Sequence, residues 1–118
     1  MRRFVSLRGQ REFSLLLRHG RAGSSDGVSV RAFSPRNKSS AKIGIVITKK
    51  VGNAVVRNRL RRRCKAVLDE FHRAPQRHWF LIHCKPETAS LTFPALRAHL
   101  LRALEASKAR WDPGERQP

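Results

Sequence analysis

The residues whose types and spacing are best suited to chemistry lie between Lys49 and Lys65, a stretch with eight basic side chains and no acidic one. Each of these side chains is a cation at neutral pH, and the guanidinium group of Arg can donate two parallel hydrogen bonds to one phosphate. Solvated helices usually mix both signs of charge, because opposite charges one turn apart attract each other. A basic stretch without any acid is therefore predicted to bind a polyanion.

The charge of the whole chain supports the same prediction. Its 118 residues include 26 Lys and Arg against 8 Asp and Glu, which gives a formal net charge of +18. A compact domain with that charge repels itself unless a polyanion neutralises it, and nucleic acid rewards clustered cations by releasing condensed counterions. An acidic membrane surface is the competing interpretation, although no apolar run approaches the roughly 20 residues that cross a bilayer. With two cysteines and no disulfide framework, the chain is expected to be cytoplasmic.

Charge alone does not decide between RNA and DNA. A basic helix can enter the major groove of B-DNA, whereas the deep, narrow major groove of A-form RNA excludes side chains. The sequence contains no recognisable helix-turn-helix pair, zinc finger or leucine zipper. The residues therefore favour RNA and leave DNA open.

The positions of the acidic and metal-binding residue types argue against a catalytic or metal site in the chain itself. Two-metal cleavage of a phosphodiester needs several carboxylates that converge on ions about 4 Å apart, and the eight acids are dispersed along the sequence. Two cysteines and two histidines supply the residue types of a zinc site, but their spacing matches no usual finger or knuckle. These four residues are Cys64, His72, His83 and Cys84. We therefore predict neither catalytic residues nor metal ligands.

A helix from Ala54 to Phe71 is predicted to hold the basic stretch, with Asn53 as its cap. Its apolar positions advance by four, four, three and four residues and form one stripe: Val56, Leu60, Cys64, Val67 and Phe71. At about 100° per residue, the positions that point away from this stripe are polar or basic: Asn58, Arg59, Arg61, Arg62 and Lys65, with Arg57 and Arg63 at the borders. One face of the helix is thus committed to the core, and the other is a ridge of cations.

Three strands and two further helices are predicted around this helix. The strand patterns are Val28–Phe33, Lys42–Thr48 with a buried face of isoleucines at 43, 45 and 47, and His78–Cys84. The first two strands are predicted to form a hairpin, with residues 22–27 as a loop. Helices are predicted over Gln10–His19 and after Thr92 and Pro94. Trp111, at the start of the tail, is assigned neither to the core nor to the surface.

The order α-β-β-(β)-α-β-α predicts an α+β fold, an α/β sandwich in which helices cover one small sheet. Residues 1–118 suit a single domain, and residues 112–118, rich in Pro, Gly and charge, are expected to form a flexible tail.

The stretch from Ile43 to Arg62 carries a motif that is more specific than its charge. Its core is Lys49-Lys50-Val51-Gly52-Asn53-Ala54-Val55-Val56-Arg57-Asn58-Arg59. This core closely resembles the signature of the ribonuclease P protein family. Supporting similarity occurs at Arg11-Glu12-Phe13, Arg18-His19-Gly20 and Lys85-Pro86, so the resemblance covers roughly residues 5 to 105. It implies a sandwich of the ribosomal protein S5 domain 2 type, with a left-handed βαβ crossover contrary to the usual right-handed rule.

The resemblance also implies a function. Ribonuclease P removes the 5′ leader from precursor tRNA by endonucleolytic hydrolysis. Its catalyst is a large RNA that uses Mg²⁺, and the protein of this family is the cofactor of that RNA. The expected partners are ribonuclease P RNA and precursor tRNA, without a membrane or a small-molecule ligand. The alternative is a basic ribosomal or chromosomal nucleic-acid-binding module without a role in tRNA maturation.

Two groups of site residues follow from the resemblance. Those expected to face the RNA subunit are Lys49, Lys50, Asn53, Arg57, Asn58, Arg59, Arg61 and Arg62, to which the ridge adds Lys65. Those expected to line a cleft for the single-stranded leader are Phe13, Leu17, Arg31 and Phe33. Leu17 occupies a position at which the family has an aromatic residue, and the chain has no Tyr. Stacking of leader bases on aromatic rings is therefore replaced in part by apolar or Arg contacts, and Phe13 is open to a core role as well.

Overall fold

The computed structural model describes residues 5–7, 9–35, 41–71 and 78–111. Within them the elements are β1 (Val5–Ser6), α1 (Gly9–His19), β2 (Arg21–Ser25), β3 (Val28–Phe33), β4 (Lys42–Ile47), α2 (Ala54–Phe71), β5 (Trp79–Cys84) and α3 (Phe93–Ala109). Short 3₁₀ turns at Lys49–Val51 and Pro86–Ser90 precede α2 and α3. The predicted tail at 112–118 lies outside the described residues.

The five strands form one sheet in the order β1-β4-β5-β3-β2. Strand β5 lies at its centre, parallel to β4 and antiparallel to β3. Because β4 and β5 are parallel neighbours joined through α2, they make a βαβ unit. The predicted α+β sandwich is confirmed, and the left-handed sense of the crossover stays a prediction.

The predicted hairpin between the strands now labelled β3 and β4 is wrong, because β5 lies between them. Strand β3 forms its hairpin with β2 instead, across the turn at Asp26 and Gly27. Both turn residues have positive φ, 32° and 85°, which is the backbone that a two-residue Asp-Gly hairpin requires. The segment predicted as a loop over residues 22–27 therefore contains most of a strand. Its Arg-Ala-Gly-Ser-Ser sequence lacks the β-branched and aromatic residues that mark strands.

Helices α2 and α3 cover one face of the sheet. Helix α3 packs across β2 and β3, and its inward residues Leu96, Leu100 and Leu104 are fully buried. Gly23 of β2 permits this contact, since a Cβ atom there would lie 2.6 Å from the backbone nitrogen of Ser107. Such close approach brings the apolar side of α3 against the sheet and excludes water from the core.

Helix α1 crosses the opposite face, from β4 to β3. At one end a Cβ atom on Gly44 would lie 3.4 Å from Cζ of Phe13, and at the other a Cβ atom on Gly20 would lie 3.2 Å from Cβ of Arg31. Between them Leu16 is fully buried. In the described segments, no helix is long and apolar enough to cross a membrane.

The prediction that the isoleucine face of β4 is buried is correct only at the end of the strand. Ile47 is buried, whereas Ile43 and Ile45 are half-buried. Strand β4 is nearly an edge strand, because the two-residue β1 pairs with it only at Lys42 and Ile43. An alternating apolar pattern therefore overstates burial where no long neighbouring strand completes the layer.

Candidate nucleic-acid interface

Helix α2 begins and ends at the predicted residues. The backbone N–H of Val56 donates to Oδ1 of Asn53 over 3.0 Å, so Asn53 caps the helix as its position before Ala54 predicts. The apolar stripe faces the core, with Leu60, Cys64 and Val67 buried. A rigid apolar underside thus fixes the direction of every outward side chain on this helix.

The outer side of α2 and the turn before it form a surface that we call the basic ridge. It comprises Lys49, Lys50, Asn53, Arg57, Asn58, Arg59, Arg61, Arg62 and Lys65. All are exposed except Arg57 and Arg61, which are half-buried. The ion pairs found in the described ranges join Lys42 to Glu12, Arg97 to Glu70 and His99 to Asp26, and none includes a ridge cation. The ridge therefore presents its charge to solvent, as the sequence predicts.

Arg57 and Arg61 deviate from a purely outward orientation. Nε of Arg57 donates to the backbone oxygen of Gly52 over 3.2 Å, which ties the first turn of α2 to the preceding segment. Arg61 lines a cavity beside β4. Both cations thus combine a position at the border of the ridge with a local packing role.

Cys64 and Cys84 are packed in the core beneath the ridge. Their sulfur atoms are 3.9 Å apart and unbridged. The hydrogen bond with Cys84 and burial both raise the pKa of the Cys64 thiol, which keeps it protonated and a poor metal ligand. Of the four residues weighed for zinc, His83 is exposed on the opposite side of the sheet and His72 lies outside the described residues. In the part of the chain that the structure describes, no three His, Cys, Asp or Glu side chains gather at one point.

All four predicted leader contacts lie on the side of the sheet that α1 crosses, and three of them are accessible. Phe13 is half-buried against Gly44, and Arg31 is half-buried beside Gly20. Leu17 stands one turn after Phe13 and is 53% exposed. Its exposed apolar side chain is available for contact with a partner.

Phe33 does not belong to this surface. It is only 3% exposed and packs against three rings, with centroid distances of 5.4 Å to Trp79, 6.0 Å to Trp111 and 6.5 Å to His19. Trp111, undecided from sequence, is part of the same core. Its indole N–H donates to the backbone oxygen of Ala32 over 2.8 Å, and the guanidinium of Arg21 lies 3.9 Å from its ring centroid. Burial therefore removes Phe33 from the residues that a nucleotide could touch.

Sequence reasoning missed His83 as a member of this surface. It pairs across the sheet with Ser29 of β3 and Val46 of β4, in the row next to the one that α1 covers. Partial burial of the imidazole ring, and secondly the charge of Arg31, lower the pKa of His83 below its usual 6.5. Alternation along β5 carries the signal, since Phe80 and Ile82 are buried on the other face. We define the leader face as Phe13, Leu17, Arg31, Val46 and His83.

Comparison with known proteins identifies the protein family that this chain resembles. A family model described as Ribonuclease P matches residues 1–108. The ribonuclease P protein component of Thermus aquaticus is 41% identical over 105 residues, which cover 89% of this chain and 61% of that protein. The chain thus spans less than two thirds of the length of its Thermus relatives.

Solved structures agree on the fold. The RNase P protein of Staphylococcus aureus superposes with a TM-score of 0.80 at 17% identity, covering 87% of this chain and 94% of that one. The RNase P protein of Thermotoga maritima gives a TM-score of 0.70 at 22% identity, covering 82% and 92%. At these sequence identities, the structural similarity shows a shared fold and nothing more. Together with the family model and the Thermus relative, it leads to one conclusion: this chain is a member of the ribonuclease P protein family.

Proposed function

We propose that the chain is the protein subunit of ribonuclease P, the ribonucleoprotein that removes the 5′ leader from precursor tRNA. Family membership supports this function, and the observation that carries it is the basic ridge. Its cations lie on a capped helix with a buried underside and have no carboxylate partner within the described ranges. Such a surface is suited to a folded RNA, because its cations pair with phosphates and release the counterions condensed on them.

The basic ridge and the leader face bind different RNA partners in this proposal. The basic ridge binds the RNA subunit, where Arg and Lys contact phosphates and the amides of Asn53 and Asn58 hydrogen-bond to sugars or bases. The leader face binds the single-stranded leader, with Phe13 and Leu17 as apolar contacts and Arg31 as a cation. Binding of the leader raises the affinity for precursor over mature tRNA, because only the precursor reaches this face.

The residues that the structure describes do not fit a magnesium site. Glu12 is paired with Lys42 and Glu70 with Arg97, and across the described segments no set of three candidate ligands converges. We therefore propose that the Mg²⁺ ions of the reaction are held mainly by the RNA subunit and the substrate, and that the catalytic centre lies in the RNA. Two unbridged core thiols support a cytosolic location.

A ribosomal or chromosomal binding module would have a similar charge, but the family match does not favour it. Reconstitution separates the two functions: the protein is mixed with a ribonuclease P RNA and a precursor tRNA at low Mg²⁺. We expect cleavage at the 5′ end of the mature tRNA to require both protein and RNA under these conditions. Cleavage by the protein alone, or affinity that is the same for precursor and mature tRNA, would contradict the proposal.

A further inference from the structure

Two cysteine thiols meet in the core beneath the basic ridge, and the proposed RNA binding uses neither of them. Cys64 lies on the apolar side of α2, and Cys84 lies at the end of the central strand β5. Their positions are 20 apart in sequence, and their sulfur atoms are 3.9 Å apart and unbridged. The fold, rather than the local sequence, therefore brings the two thiols together.

The distance between the sulfur atoms suits a disulfide bond that has not yet formed. Such a bond requires about 2.05 Å between the sulfurs, so each sulfur of the present pair has to move by roughly 1 Å. A rotation of roughly 30° about the Cα–Cβ bond of each side chain toward the other is sufficient, and side chains make rotations of that size at modest cost. Neither α2 nor β5 has to shift as a whole.

The two thiols differ in their access to solvent and in their reactivity. Cys64 is fully buried, whereas Cys84 is 4% exposed. The hydrogen bond with Cys64, and secondly the charge of Arg61, lower the pKa of the Cys84 thiol. Because the thiolate is the nucleophilic form of cysteine, Cys84 is the side chain that reacts first. The narrow opening admits an oxidant close to water in size and excludes a bulky disulfide reagent.

We propose that Cys64 and Cys84 form a modification site that hydrogen peroxide converts into an intrachain disulfide. The thiolate of Cys84 attacks one peroxide oxygen and breaks the O–O bond. The departing hydroxide takes up the proton that the thiol released, which leaves a sulfenic acid and one water. The thiol of Cys64 then attacks the sulfenic sulfur, and its proton leaves with the hydroxyl group as a second water. Two thiols lose two electrons, and one peroxide is reduced to two waters.

The disulfide ties α2, and with it the basic ridge, to the central strand of the sheet. A covalent link between residues that are 20 apart in sequence restricts the unfolded chain and so favours the folded one. Oxidation therefore makes the RNA-binding helix more resistant to unfolding. This chemistry depends on the core alone and is independent of the proposed function.

Mass spectrometry of the folded chain tests the modification. After treatment with hydrogen peroxide we expect a mass lower by two hydrogens, a proteolytic fragment in which Cys64 is linked to Cys84, and reversal by dithiothreitol. Cys64→Ala removes the second thiol, so the sulfenic acid at Cys84 should persist and react with dimedone. The matched variant Cys84→Ala should keep Cys64 as a free thiol. Two free thiols in the treated unmodified chain, or dimedone labelling at Cys64, would overturn the proposal.

Urea denaturation followed by circular dichroism tests the consequence for α2. The unfolding midpoint of the oxidised chain should lie at a higher urea concentration than that of the reduced chain. Peroxide should leave the midpoint of Cys84→Ala unchanged, since this variant cannot form the bond. A midpoint that is equal in the oxidised and reduced forms of the unmodified chain, or lower in the oxidised form, would contradict the link between the disulfide and the stability of the helix.

Discussion

Helices α2 and α3 lie on the same face of the sheet and differ in how their outward cations are neutralised. On α3, Arg97 donates to both carboxylate oxygens of Glu70, and the pKa of Arg97 is raised by these hydrogen bonds. His99 faces Ser25 and Asp26 at 2.8 Å and 3.6 Å. On α2 the basic ridge has no such partners in the described segments. The apolar sides of the two helices, by contrast, are buried alike.

This difference separates folding from binding. A helix that only completes the core is best served by mixed charges, since like charges at adjacent turns repel each other. Helix α3 follows that rule, and exposed Arg102 has an exposed Glu105 one turn later. Helix α2 violates it along most of its length. The unfavourable repulsion is relieved when a polyanion binds, so the ridge is better explained by a partner than by stability.

The largest expected effect is the loss of stability when a residue on the buried apolar side of α2 or α3 is replaced. Leu60→Ala and Leu100→Ala each remove a buried side chain, 4% and 0% exposed, and should each lower the free energy of unfolding by about 2–5 kcal/mol. Urea denaturation followed by circular dichroism measures both. A loss at Leu60 well below that at Leu100 would mean that α2 is not held as firmly as α3.

The two helix caps give a smaller and more selective test. The N–H of Val56 donates to Asn53 over 3.0 Å, and that of Ala95 donates to Oγ1 of Thr92 over 3.3 Å. Replacing either cap by Ala should lower the free energy of unfolding by about 1 kcal/mol. Only Asn53→Ala should also weaken binding of the RNA subunit, as measured by filter binding at a temperature where both variants are folded. Equal RNA affinity of the two variants would show that Asn53 does not contact the RNA subunit.

A still smaller effect concerns pH and His83. Because its pKa in the folded chain is lowered, by burial first and by Arg31 second, protonation opposes folding as pH falls below about 6.5, the usual histidine pKa. Stability should therefore be complete above that pH and decline below it. A leader phosphate on this face favours the charged imidazole, so affinity for leader-bearing substrate should rise between pH 8 and 6. His83→Gln should flatten both profiles; an unchanged binding profile would place the leader elsewhere.

Helix α2 was predictable from sequence to its end residues because its signals are local. The period of the apolar stripe, the Asn53 cap and the absence of acids can all be read from neighbouring residues. The direction of the ridge follows from the same period, and the deviations of Arg57 and Arg61 depend on contacts with Gly52 and β4.

The sheet was less predictable because strand order depends on distant segments. Strand β5 lies between β3 and β4, so these two strands do not form the expected hairpin, and Trp79 of β5 packs against Phe33 of β3. Trp111 reaches the same cluster from the end of α3. No local pattern around Phe33 distinguishes a buried aromatic from a leader contact. For His83, alternation along β5 carries the signal, and the assembled sheet shows that its row lies next to the one that α1 covers.

The measurement that tests the central claim most directly is the salt dependence of binding to the RNA subunit, compared between the outer sides of α2 and α3. We predict a steep decrease of log affinity with log salt for the unmodified protein, and a slope reduced by about 0.9 when Arg59→Ala removes one duplex phosphate contact. Arg102→Ala, which removes an exposed arginine on α3, should leave the slope unchanged. If both substitutions reduce the slope equally, RNA binding is a property of net charge, and the basic ridge of α2 has no special role.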